Sequence, residues 1–118
     1  LAHTLELLDK GIAEFCTKKF QILIPTCRAD FIREGQSLNH CVGQTGYFQR
    51  HIEGKRMVFF IRRTETPETP FFTMEVDMQR MRILQLYGYH DCIAPSEVRK
   101  FAEQFLRNIK PKQATSAA

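Results

Sequence analysis

Five side chains in the middle of this chain have types and spacing that could do chemistry: His40, Arg62, Thr73, Glu75 and Gln85. Imidazole and carboxylate are proton-transfer groups, so His40 and Glu75 can serve as general acid and base. The guanidinium of Arg62 suits an anionic group such as phosphate, and Thr73 with Gln85 can orient a substrate. The residues also fit a bland alternative, a solvated sheet face on which Arg62 and Glu75 form an ordinary cross-strand pair.

Cys41 follows His40 directly. Adjacent helical residues point about a quarter-turn apart, so His40 is poorly placed to activate a Cys41 nucleophile, and a buried structural thiol is the simpler reading. A weak metal alternative combines His40, Cys41, His90 and Cys92. Zinc accepts such ligands, but the spacing matches no compact zinc motif. His3 and His51 are expected at the surface.

The elements that must position these residues are legible from periodicity. Residues 56–63 (RMVFFIRR), 71–77 (FFTMEVD) and 81–87 (MRILQLY) read as three strands of an antiparallel meander. Alternation places Thr73 and Glu75 on one face of the second strand, and Phe72, Met74 and Val76 on the other. The short turn at 78–80 brings Asp77 near Met81. That sets Thr73 opposite Gln85 and Glu75 opposite Ile83, with Leu84 and Leu86 on the core face. The 64–69 loop is too long to set the register of the first strand. If Val58 and Phe60 share the Thr73 face, Arg62 joins it.

Around the meander, residues 1–20 are expected to be helical through Leu5, Leu8, Ile12 and Phe15. FQILIP at 20–25 supplies a short strand, a fourth for the sheet, ended or marked as an edge by Pro25. A second helix spans 28–38 with Thr26 as a candidate N-cap. One or two helical turns fit 47–52, and a final helix fits 95–109 with Pro95 in its first turn. The expected class is α+β: a meander packed with N- and C-terminal helices. One domain covers 1–110, and 111–118 is a flexible tail.

Length and composition bound the function. The chain has 118 residues, 43% of them hydrophobic with ten Phe, enough for a real core. The net charge of +4, from 17 basic and 13 acidic residues, permits an anionic partner and equally a solvated basic surface. Four cysteines without a CxxC pair or a signal peptide point to reduced thiols in a cytoplasmic protein. No apolar run approaches the roughly 20 residues that span a bilayer, so no membrane partner is expected. No P-loop, Rossmann motif or paired metal-binding carboxylates occur, and no cofactor is expected. The start at Leu1 rather than Met fits a domain cut from a longer protein.

Taken together, the motifs resemble the PcfJ-like family of conjugative plasmids, phages and related mobile elements. The resemblance runs from about Phe20 to Ile109. It rests on Ile24-Pro25, Glu34-Gly35, Leu38-Asn39-His40-Cys41-Val42-Gly43, Tyr47, Phe59-Phe60-Ile61-Arg62, Pro70-Phe71-Phe72-Thr73-Met74-Glu75, Gln85 and Gly88. The family usually carries an Asn shortly after that last Gly; here the place holds His90-Asp91. The resemblance implies a mobile-element or prophage protein working inside a bacterial cell, with other mobile-element proteins as partners.

Two functions from different classes follow. One is an enzyme using His40, Arg62, Thr73, Glu75 and Gln85 on a nucleic acid or nucleotide. The other is a non-catalytic module binding nucleic acid or protein in a conjugation or phage complex. There, Lys18, Lys19, Arg28, Arg33, Arg50, Lys55, Arg56, Arg63, Arg80 and Arg82 would contact phosphates.

Overall fold

A computed structural model describes residues 15–38 and 46–109. Four strands form one antiparallel sheet in the order β1-β2-β3-β4. They are β1 (Phe20–Leu23), β2 (Arg56–Arg63), β3 (Phe72–Asp77) and β4 (Arg82–Tyr87). Between β1 and β2 lie helices α1 (Arg28–Leu38) and α2 (Tyr47–Glu53). After β4 come a 3-10 turn (Tyr89–Asp91) and helix α3 (Ser96–Ile109). The α+β meander expected from the sequence is present, and the 20–25 segment supplies its fourth strand at one edge.

Two apolar layers flank the sheet. Alternation sends Met57, Phe59, Ile61, Phe72, Met74 and Val76 to one face, where they pack with Val98, Phe101, Ala102 and Phe105 of α3. The ring centroids of Phe59 and Phe105 lie 4.9 Å apart in a T-shaped pair. On the other face Val58 and Phe60 pack with Phe31 of α1 and, at the margin, Phe48 of α2. The polar face of the meander is therefore roofed by helices.

Several local expectations change. Residues 15–19 are not helical. Cys16 bridges Gln21 in antiparallel fashion, and Thr17 N–H donates to Phe20 O at 2.7 Å. Hydrogen bonding to β1 outweighs helical periodicity there; residues 1–14 of that expected helix lie outside the described residues. Thr26 donates its backbone N–H to Asp30 Oδ2 at 3.0 Å, and α1 starts two residues later. The capping carboxylate thus reaches back from the first helical turn. Gly54 ends α2 at φ 78, a left-handed position that glycine takes without a Cβ clash, and gives its N–H to His51 O. The tail beyond residue 109 lies outside the described residues.

The β3–β4 register differs from the one expected. Thr73 pairs with Tyr87, Glu75 with Gln85, and Val76 with Ile83. A bulge between Glu75 and Val76 leaves Leu84 as the extra residue of β4. Ile83 thereby turns to the α3 side, and Leu84 is exposed rather than in the core. At the connecting turn, Asp77 Oδ1 accepts N–H bonds from Gln79 and Arg80. The Arg80 bond is the largest cause of a carboxyl pKa below the ordinary value.

Gly88, just after β4, is where a side chain would not fit. A Cβ there would stand 2.7 Å from the Phe72 ring and 3.0 Å from Cys92 Sγ. Because Phe72 is itself in the core, the ring cannot simply swing away. Gly88→Ala is expected to destabilise the fold by about 1–3 kcal/mol through overpacking. Urea unfolding measures this; a variant as stable as wild type would show that the ring has room to move.

Candidate functional site

The register assembles the predicted face. Val58 pairs with Glu75 and Phe60 with Thr73, so β2 presents Val58, Phe60 and Arg62 beside Thr73, Glu75 and Gln85. Four of the five residues singled out from the sequence therefore share one face. His40 and the less favoured Cys41 lie outside the described residues. So do two of the four ligands of the weak metal alternative; the other two, His90 and Cys92, are exposed on and beside the 3-10 turn. Among the described residues no three His, Cys, Asp or Glu side chains gather as a metal site would require.

At one end of the face lies a buried ionic knot. Arg62 Nη1 donates to Glu34 Oε2 at 2.8 Å, and Thr73 Oγ1 donates to the same oxygen at 3.2 Å. Arg62 Nε donates to Pro67 O at 3.1 Å. The two charged side chains are only 7% and 1% exposed. The knot ties α1, β2, β3 and the β2–β3 loop together. Glu34 was missed as a member of this group, although a signal was present. Phe31, Glu34, Gly35 and Leu38 form the buried stripe of α1, and a carboxylate on an apolar stripe needs a partner in the core.

At the other end, Glu75 meets α2. Glu75 Oε2 stands 3.6 Å from Arg50 Nε, an ion pair too long for a hydrogen bond. Glu75 is 5% exposed, and among the described residues this oxygen accepts no hydrogen bond. Arg50 is partly open to solvent, and Gln85, half-buried, lies directly across from Glu75. A desolvated carboxylate, an amide and a guanidinium that reaches solvent thus lie close together. Such a group can hold an anion and exchange a proton with it.

His51 was expected at the surface and is instead fully buried. Its ring bridges two elements: Nδ1 accepts the Val58 N–H at 3.0 Å, and Nε2 lies 2.8 Å from Pro25 O. A carbonyl can only accept, so Nε2 carries the proton and the ring is neutral. Burial is the largest cause of a pKa lowered from 6.5 to about 4, while the hydrogen bond to Pro25 O acts the other way. The surface expectation failed because one histidine in a short helix carries no local sign of the strand amide and the carbonyl that its ring will meet.

No helix among the described residues is long and apolar enough to cross a membrane. No solved structure matches the chain. An uncharacterized protein of Listeria innocua, Lin1253/Lin1744, is 32% identical over 93 residues, which make up 79% of this chain and 20% of that protein. The chain thus spans about a fifth of the length of that curated relative. A family model described as PcfJ-like protein matches residues 4–102, a stretch that contains the ionic knot, the Arg50–Glu75 pair and the bridging His51. The chain belongs to the PcfJ-like protein family.

Proposed function

We propose that the polar face binds a nucleotide or nucleic-acid phosphate at its Arg50–Glu75–Gln85 end and performs acid–base chemistry on it, in a cytoplasmic protein of a mobile element. The supporting observation is the buried Glu75 carboxylate, whose Oε2 takes no hydrogen bond among the described residues and faces a solvent-reaching Arg50. Glu75 is the general base, with His40 as the acid. Arg50 takes the anion-holding role that the sequence suggested for Arg62. Arg62 and Thr73, bound to Glu34, hold the floor of the site in place. Gln85 orients the substrate.

A second reading rests on the knot itself. Arg62, Thr73 and Glu34 engage one another as structural groups do, which suits a non-catalytic nucleic-acid- or protein-binding module. Thermal shift across a nucleotide and oligonucleotide panel tests the first reading. A compound that binds only the folded state, at a hundred times its Kd, adds about 2.7 kcal/mol of stability. The expected result is a ligand shift for wild type, measured from each protein's own unliganded melting point, that Glu75→Gln and Arg50→Ala both lose. Equal shifts in all three proteins, or none in wild type, would remove the polar face as a phosphate site. Binding without turnover of any phosphate compound would favour the module.

A further inference from the structure

A second concentration of charge lies across the sheet from Glu75, at the β1 edge. Thr17 and Phe20 close a tight turn through Thr17 N–H to Phe20 O, and Phe20 N–H in turn reaches Thr17 Oγ1 at 3.2 Å. Lys18 and Lys19 form the tip of that turn. Phe20 pairs with Arg63 at the end of β2, so the register sets that guanidinium beside the two lysines. Lys100, from the second turn of α3, borders the same depression. Two adjoining cavities of about 320 and 340 Å³ share Lys18, Lys19, Phe20 and Glu97; Arg63 lines one and Lys100 the other.

The charges do not cancel. Four cationic side chains face two carboxylates, Glu65 and Glu97. Lys19 and Glu97 pair at 2.9 Å, but both are well exposed and such a pair is weak. Lys18, Arg63 and Lys100 have no carboxylate partner among the described residues. The Arg63 guanidinium lies 4.3 Å from the centroid of the Phe71 ring, so one plane is stacked while its N–H edge stays available. Phe20, on the floor, is buried and offers no exposed ring on which a base could stack.

We propose that this groove is a phosphodiester-binding track, which holds the backbone of a nucleic-acid strand without reading its sequence. Lysine tips, a stacked arginine edge and a floor without stacking platforms favour phosphate over base. The track is separate from the Arg50–Glu75 site and stands without it.

The test is fluorescence anisotropy of the 118-residue chain with a labelled single-stranded oligonucleotide over a salt series. Inorganic phosphate serves as competitor. Neutralising about three phosphates predicts a log–log salt slope near −2. Lys18→Glu/Lys100→Glu is expected to weaken binding at least roughly tenfold at low salt, by the same counterion argument. Arg99→Glu/Arg107→Glu makes the same change in net charge on α3, at two residues that do not line the groove, and is expected to retain most of the affinity. All four side chains are exposed, so both variants should melt as wild type does. A flat salt slope overturns the track, as does equal weakening by the two variants. Displacement of the strand by low concentrations of inorganic phosphate would mean a free-phosphate site and would also overturn it.

Discussion

Glu34→Ala is expected to cost the folded domain about 3–5 kcal/mol, because it leaves the Arg62 guanidinium buried without its counter-charge. Arg62 would keep its bond to Pro67 O, but the oxygen that takes its Nη1 and the Thr73 hydroxyl would be gone. Glu34→Gln keeps the shape and removes the charge, so it should fall between Ala and wild type. Replacing both partners, as Glu34→Leu/Arg62→Met, removes the charge problem at its source. The double variant is expected to be more stable than either single one, since well-packed apolar pairs often match a buried ion pair. Urea unfolding of wild type, Glu34→Leu, Arg62→Met and the double variant closes the cycle. A Glu34→Ala cost below about 1 kcal/mol would mean that water reaches the guanidinium, and that the knot contributes no more than a surface pair.

The second large effect is a dependence on acidity. His51 is neutral in the folded protein down to about pH 4, whereas in the unfolded chain it takes up a proton near 6.5. Between these values the unfolded state binds more protons, so stability falls as the pH falls from 6.5 to about 4. Above that window neither state is charged at this ring and the term vanishes; below it both are charged and the loss levels off. The full drop from 6.5 to about 4 corresponds to roughly 3 kcal/mol. Protonation would also put a hydrogen on Nδ1, where the Val58 N–H now donates. A proton resonance of His51 that titrates near 6.5 in the folded protein would contradict this. A His51→Gln variant is expected to start lower at neutral pH by about 1–3 kcal/mol, having lost a bridge with two partners. Its stability should then change less across the window than that of wild type.

The two effects bear on different parts of the proposed site. His51 fixes α2 to the start of β2 and to the segment after β1, and Arg50 is its neighbour in α2. Acid loosening of His51 would therefore displace Arg50 from Glu75 before it disturbed the α3 side of the sheet. The Glu34 knot instead anchors α1, the helix that ends at Leu38, next to the segment carrying His40. Loss of ligand binding in acid, with the knot intact, is the expected order.

Much of the architecture follows from local chemistry. The β-branched and aromatic alternation of 56–63, 71–77 and 81–87 marked the strands, the last two of which start one residue later in the structure, and Pro95 with the apolar stripe of 98, 101 and 105 marked the last helix. Face membership was also local, because the strand period is two. Thr73, Glu75 and Gln85 stay together even though the true register pairs Glu75, not Thr73, with Gln85. A slip by an even number of residues preserves the face. What packing alone decided is equally specific. The bulge that exposes Leu84 lets β4 keep both Gln85 and Ile83 on their preferred sides, a choice that needs both neighbours at once. The partner of Arg62 is Glu34, 28 residues away on a helix, rather than Glu75 on the next strand. The Cα register shows why: Arg62 projects beside Gln21 at one end of the face and Glu75 beside Val58 at the other. Sequence spacing ranks the residue types that can carry charge. Only the meeting of α1 and α2 with the sheet decides which of them water no longer reaches, and therefore which must find a partner inside the protein.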